Sequence, residues 1–333
     1  MTHRAALIGC GRIGTEFADD PRIKGVYTHA GAYMACPRTE LVAVCDIDAP
    51  KASRCGRRWG VAAVYADAAR LMEEQRPEIV SICSPDATHG DVLGTVLQAT
   101  GVRAVLTEKP LAIDLYDAHK LIRMAEERDI VLAVNYSRRY SDGHRRVKEM
   151  IESGRIGNVQ KVAGLYTNGI LHNGSHWFDL ARWLIGDMDR VQGFGVERHA
   201  GVDPTLDVWL RFETGPTGFL QGCRAQQFTI FEMDVVGSYG RMRLVESGHR
   251  VELFDVGDNP YYSGYRSLRK VEELCVDLHD TLLNAVEDLV NCLEGGGQPR
   301  CSGADGLAAL RLASAAATSA LEGVPVELNG GER

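Results

Sequence analysis

The sequence predicts an α/β amino-terminal domain followed by an α+β carboxy-terminal domain. Three observations carry this reading. Over the first 135 residues, short apolar runs alternate with amphipathic helical patterns. A glycine-rich turn follows the first of these runs, at Gly9–Gly14. Beyond residue 155, apolar runs follow one another with turns between them.

In the first half, strands are expected at residues 5–8, 41–45, 63–65, 79–83, 104–107 and 131–135, with helical patterns at 67–75 and 115–128. Such alternation implies a doubly wound parallel sheet with helices on both faces. Ligands of such sheets bind at the carboxyl ends of the strands. Gly9, Asp46, Ser84, Glu108 and Asn135 stand just after those ends. In the second half, strands are expected at 159–166, 207–212, 218–224, 232–236, 241–245 and 250–254. Gly237-Ser238-Tyr239-Gly240 reads as a hairpin turn, and 259–264 as a loop. One helix, from His176 to about Leu184, interrupts the strands. Two more lie near 277–293 and 303–322, separated by Gly295-Gly296-Gly297. The expected domains are 1–135 and 136–333, the second built on a large, mostly antiparallel open sheet.

A chain of 333 residues suits two cores better than one. With 45% hydrophobic and 25% charged residues, it has an ordinary globular composition. The net charge of −8 argues against nonspecific nucleic-acid binding, which needs a basic surface. No apolar stretch approaches the ~20 residues of a membrane span. The amino terminus leads straight into a strand the fold needs, so no cleaved signal is expected. Nine cysteines with no CxxC pair read as free thiols of a reducing cytoplasm.

The turn Gly9-Cys10-Gly11-Arg12-Ile13-Gly14 joins an apolar run to a helix start. Gly9 permits a sharp turn, Gly11 admits a pyrophosphate to the backbone, and Gly14 lets helix and strand pack closely. The amides at a helix start then face the phosphates. Asp46, at the tip of the second strand, can accept the ribose hydroxyls, which favours NAD; Lys51 or Arg54 beside it leaves NADP open. The interval from Gly14 to Asp46 is 32 positions, against the usual ~20. An inserted loop around residues 19–25 would explain the excess.

Three further segments carry chemistry. Ser84-Pro85-Asp86-Ala87-Thr88-His89 follows the fourth strand and opens a helix, beside the expected nicotinamide end. Glu108-Lys109-Pro110 follows the fifth strand. Its lysine can donate to a substrate hydroxyl or carbonyl, and a cis Lys109–Pro110 bond would aim it. Gly174-Ser175-His176-Trp177-Phe178-Asp179 begins a helix on which His176, Asp179 and Trp183 share a face. The positive end of the helix dipole would keep a first-turn His176 neutral and available as a base. His172 and His176 have a zinc-like spacing, but Gly174 falls between them and no glutamate follows the first, so no metal is expected.

Together these segments resemble the Gfo/Idh/MocA oxidoreductases, over essentially the whole chain. The resemblance rests on the Gly9–Gly14 turn, Asp46, Ser84-Pro85 with Thr88-His89, Glu108-Lys109-Pro110, the run Asn135–Tyr140, and the helix through Asp179. It implies NAD(P)-dependent hydride transfer to or from a secondary alcohol or keto group of a sugar, cyclic polyol or nucleotide sugar. It also implies assembly as a homodimer or homotetramer through the open sheet. Lys109 matches the catalytic lysine and His176 the catalytic histidine. The cofactor side is expected to include Gly9, Gly11, Arg12, Ile13, Gly14, Asp46, Ser84, Pro85, His89, Glu108 and Lys109. The substrate side is expected to include Lys109, Asn135, Arg139, His172, Asn173 and His176. The family often has aspartate where this chain has His172; His172, Asn173 or Asp179 would then orient His176. The inserted loop, with Arg22, Lys24, Tyr27 and His29, is expected near the cofactor and the active-site mouth, where it would shape substrate choice. Two other roles are compatible with the fold: a regulator that binds without turnover, and an enzyme that cycles a tightly held cofactor.

Overall fold

The computed structural model describes residues 2–195, 203–276 and 278–328. The chain forms two compact units, one of Met1–Ser141 with Leu278–Ala308, the other of Asp142–Asp277 with Ala309–Arg333.

The first unit begins with β1 (His3–Ile8), α1 (His29–Ala35), β2 (Thr39–Cys45), α2 (Ala49–Trp59), β3 (Ala63–Tyr65) and α3 (Ala68–Gln75). It continues with β4 (Ile79–Ile82), α4 (His89–Gln98), β5 (Ala104–Thr107), α5 (Leu115–Glu127) and β6 (Val131–Val134). All six strands run parallel, in the order β3-β2-β1-β4-β5-β6. The strand order reverses between β1 and β4, so the crevice beyond their carboxyl ends is where this fold takes a ligand. β4 and β5 are buried on both faces, which is why they read as unbroken apolar runs. The helices start where the sequence supplies an acceptor. Asp67 accepts from the Arg70 amide, and Asp114 accepts from Tyr116 and Asp117.

The second unit contains α6 (Asp142–Glu152), β7 (Val159–Tyr166), a π-helical segment (Gly169–Gly174) and α7 (Ser175–Ile185). Then come β8 (Met188–Phe194), β9 (Asp207–Phe212), β10 (Thr217–Gly222), β11 (Phe231–Gly237), β12 (Gly240–Val245), β13 (Arg250–Asp258) and β14 (Arg266–Cys275). After α8 (Thr281–Gly295), α9 (Gly303–Glu322) and β15 (Val326–Glu327) close the chain. Among the described residues the sheet has nine strands, ordered β14-β13-β12-β11-β7-β10-β9-β8-β15, antiparallel except where β10 lies beside β7. Burial alternates with period two along β9, β10 and β11, so one face is apolar. Trp177, Phe178, Leu180, Ala181 and Leu184 of α7 belong to the core on that face.

The break expected after residue 135 thus falls at 141, and α8 belongs with the first unit. Its buried residues include Leu282, Val286, Leu289 and Val290, and it packs on α1, β5 and β6. Sequence order puts α8 after the second sheet; its apolar stripe returns it to the first. The hairpin turn at Ser238-Tyr239 is as expected. β8, β14 and β15 were not among the expected strands. β14 is mostly exposed, so it shows no apolar alternation to read. Among the described residues no helix is long and apolar enough to cross a membrane.

Candidate active site

The glycine turn divides its labour as its residue types require. Gly9 has φ +97°, and a Cβ there would stand 2.4 Å from the backbone carbon and oxygen of Cys83. A Cβ on Gly14 would stand 2.2 Å from the Gly9 carbonyl oxygen. These two glycines are needed by the fold. A Cβ on Gly11 would meet nothing within 4 Å, so the missing side chain there leaves an open cradle. Asp46 fixes the turn, its Oδ2 accepting from the Cys10 amide at 2.8 Å and its Oδ1 from the Asp48 amide at 2.9 Å. A cavity of about 430 Å³ lies beside the turn, with Cys10, Thr15, Lys51, Arg54, Cys55 and Arg58 among its lining.

The long interval to Asp46 has a geometric explanation. The amides of His29 and Ala30 donate to the carbonyls of Ile13 and Gly14. Those pairs are 16 residues apart, where an α-helix would have four. Twelve residues are therefore looped out of one helix, and 32 less 12 restores the usual interval of ~20. The loop is braced. The Phe17 and Tyr27 rings meet edge to face at 5.9 Å, and the Arg12 guanidinium lies 4.5 Å over Phe17. Arg58 pairs with Asp19, Trp59 Nε1 donates to Thr15 Oγ1, and the Val26 amide donates to Asp280 Oδ1. Arg22 and Lys24 are exposed. His29 is fully buried and opens α1, so it belongs to the helix and not to the inserted loop, and its ring faces Glu108 inside the unit and not an open mouth.

Glu108 and Lys109 follow β5, and the Lys109–Pro110 bond is cis. Lys109 is only 7% exposed. Glu108 Oε1 accepts from His29 Nε2 at 2.9 Å and from Asn135 Nδ2 at 2.6 Å. Burial alone would raise the Glu108 carboxyl. The bonds from His29 and Asn135, with the charge of Lys109, outweigh it and hold the group below its ordinary value. His29 Nδ1 lies 2.8 Å from Ser81 Oγ, and that oxygen lies 2.7 Å from the Tyr33 hydroxyl.

Other expected residues have different partners. His89 is buried, with Nδ1 2.6 Å from the Pro110 carbonyl and Nε2 2.6 Å from the Ser84 carbonyl. Both ring nitrogens thus brace two strand-end loops, which corrects its assignment as a cofactor contact. Arg139 is 5% exposed, pairs with Asp305 at 3.0 Å and donates to the Arg300 carbonyl. It ties the end of β6 to the segment before α9. Ser84 Oγ and Asn135 Oδ1 are buried atoms with no hydrogen-bond partner among the described residues. Buried polar atoms without partners are costly, and these two stand just past the ends of β4 and β6, where such a sheet takes its ligand. The open cradle at Gly11, the fixed carboxylate of Asp46 and these two acceptors together fit a dinucleotide.

In the second unit, His176 is the second residue of α7, but it is not at a free helix start. The backbone is already helical through the π segment from Gly169, and Gly174 has φ −60° and ψ −38°. The amides with no partner inside the helix belong to residues 169–172. Asp203 accepts from the Leu171 and His172 amides, both at 2.8 Å, and Thr205 Oγ1 accepts from Gly169. Gly169 has φ +78°, which favours glycine, and a Cβ there would stand 2.1 Å from Asp203 Oδ2. A carboxylate therefore already meets the positive end of the dipole, which removes the expected dipole argument for a neutral His176. Asp179 is buried, His172 exposed, and the His176 and Asn173 residues half-buried. His29, Ser81, Tyr33 and Asp203 were not singled out for these roles. Only His29 had a local signal, a His-Ala pair opening a helix after the loop.

A parallel sheet with a glycine cradle, an acid at the tip of β2 and a buried lysine at the end of β5 defines a dinucleotide-dependent oxidoreductase of the Rossmann type. Residues 3–136 match the family model described as oxidoreductase family, NAD-binding Rossmann fold, and residues 144–243 match the GFO/IDH/MocA C-terminal domain. The chain belongs to the Gfo/Idh/MocA family of NAD-binding oxidoreductases. It is 25% identical to myo-inositol 2-dehydrogenase of Thermotoga maritima, over 98% of each chain. It is also 25% identical to D-apiose dehydrogenase of Paraburkholderia graminis, over 98% of this chain and 89% of that one. Levoglucosan dehydrogenase in complex with NADH and levoglucosan has the same fold, with a TM-score of 0.84 at 18% identity, over 99% of this chain and 100% of that one.

Proposed function

We propose that this protein oxidises a secondary alcohol of a sugar or cyclic polyol, or reduces the corresponding ketone, with Lys109 and His176 as its catalytic residues. The observation that carries this is Lys109, 7% exposed at the carboxyl end of β5, beside the ionised Glu108. A lysine buried there is held for chemistry more readily than for solubility. The nicotinamide, when bound, supplies the hydride acceptor. Lys109 holds the reacting oxygen and stabilises the negative charge that grows on it. His176 accepts the hydroxyl proton in the oxidising direction. The cofactor side comprises the Gly9–Gly14 turn, Asp46, Ser84, Pro85 and Glu108, and the substrate side adds Asn135, His172 and Asn173. The relatives named for inositol and for apiose support a polyhydroxylated substrate.

Asp46 makes NAD the preferred form, since a 2′-phosphate would meet its charge, and Lys51 and Arg54 line the adjoining cavity. The chain assembles through its open sheet as a homodimer or homotetramer. Exposed Tyr261, Tyr262, Tyr265 and Val271 near β14 support that reading, and light scattering tests it.

The test is a panel of inositols, sugars and nucleotide sugars, each offered with NAD and with NADP and followed at the reduced-cofactor band. At least one should turn over, and Lys109→Ala should lower kcat by roughly a hundredfold to a thousandfold. Turnover of none, or an unimpaired Lys109→Ala, overturns the proposal.

A further inference from the structure

We propose that His29 is a positioning residue for cofactor binding, which pins Glu108 from within the fold so that its second carboxylate oxygen is presented to a hydroxyl of the dinucleotide. The inference rests on the reading above only in taking NAD as the ligand.

Glu108 has two unequal oxygens. Oε1 takes both bonds from inside the unit, from His29 Nε2 and Asn135 Nδ2. No bond to Oε2 is formed among the described residues, and the Glu108 side chain is 13% exposed. The carboxylate is thus held by one oxygen and offered by the other. A carboxylate can only accept, so His29 carries a hydrogen on Nε2. Nδ1 can then accept from Ser81 Oγ, which in turn accepts from the Tyr33 hydroxyl. In this arrangement each hydrogen along the chain has one acceptor. Tyr33 and Ser81 are fully buried, so the chain ends in the core and leads no proton to solvent. Its work is orientation: it fixes the tautomer and ring plane of His29, and His29 fixes Glu108.

The backbone shows how the sequence delivers this histidine. Twelve residues are looped out, yet the His29 amide still donates to the Ile13 carbonyl. His29 therefore sits where the uninterrupted helix would place it, one turn beyond Gly14. The glycine turn that cradles the pyrophosphate and the glutamate that meets a hydroxyl of the dinucleotide are joined through a single side chain.

The test is calorimetric titration of the apoprotein with NAD, which needs no turnover. Glutamine mimics the Nε2 donor of histidine and asparagine mimics the Nδ1 position. His29→Gln should bind NAD within about threefold of wild type, and His29→Asn should bind roughly tenfold to a hundredfold more weakly. His29→Asn combined with Glu108→Gln should be no weaker than Glu108→Gln alone. Equal binding by His29→Asn and wild type, equal losses for the Asn and Gln variants, or additive losses in the double variant would overturn the inference. Should His29→Asn fail to fold, Ser81→Ala takes its place, expected to weaken NAD binding only while Glu108 is present. Wild-type protein that binds NAD but oxidises no sugar would sink the proposed function and leave this inference standing.

Discussion

Gly11→Ala separates cofactor binding from folding. The glycine has no positive φ, and its Cβ would meet nothing within 4 Å. Alanine there should leave the unliganded fold unharmed, or stabilise it by ~0.5 kcal/mol by restricting the unfolded chain. The same methyl would stand in the cradle where a phosphate must approach the backbone. Losing two charge-assisted hydrogen bonds costs about 3–6 kcal/mol, a hundredfold or more in Kd. At 100 times its Kd, NAD stabilises wild-type protein by about 2.7 kcal/mol, which raises Tm by roughly 5–11 °C. Gly11→Ala should show the wild-type Tm without NAD and almost no shift with it. Gly14→Ala is the contrast. Its Cβ falls 2.2 Å from a backbone oxygen, so the fold itself should weaken, by about 2–4 kcal/mol. Differential scanning calorimetry of both variants, with and without NAD, reads the outcome. A Gly11→Ala protein that binds NAD like wild type, or that melts as early as Gly14→Ala, would refute the division of roles within the turn.

Gly164→Ala should destabilise the second unit by about 3 kcal/mol, because its Cβ would fall 2.1 Å from Trp177 Nε1, an atom that donates to the Glu232 carbonyl; denaturant titration checks this. Glu108 has a folded pKa below its unfolded value. Its contribution to stability is therefore present above about pH 4.3 and lost as pH falls through the folded value. Glu108→Gln should flatten that acid limb in a pH series of unfolding midpoints, and an unchanged slope would contradict it. Asp203→Asn replaces one of two acceptors at the start of the π segment with a donor, so it should cost about 1–2 kcal/mol and lower kcat more than it raises KM for NAD. Steady-state kinetics with NAD varied at saturating alcohol substrate read the second part.

The N-terminal candidate residues could be picked out of the sequence where the chemistry that suggests them is local. Gly9, Gly11, Gly14 and Asp46 announce themselves by type and spacing, because backbone clearance and charge are properties of single residues. Glu108 and Lys109 were legible by place, as the residues after a buried strand. His89 was misread because a histidine at a helix start looks the same whether its nitrogens face a ligand or two carbonyls. His29 was grouped with the inserted loop, since nothing local shows that the chain returns to helical register after twelve looped residues. β14 was missed because a mostly exposed edge strand shows no apolar alternation.

The sequence by itself determined the fold class, the parallel and antiparallel halves and the cofactor chemistry, since periodicity and glycine clearance act over a few neighbouring residues. Only the tertiary structure decided that α8 returns to the first unit, that Asp203 caps the segment before His176, and that His29 reaches Glu108. Those contacts join residues 31 to 254 positions apart. Burial and hydrogen-bond geometry select them after the chain has closed, and no local pattern encodes that choice.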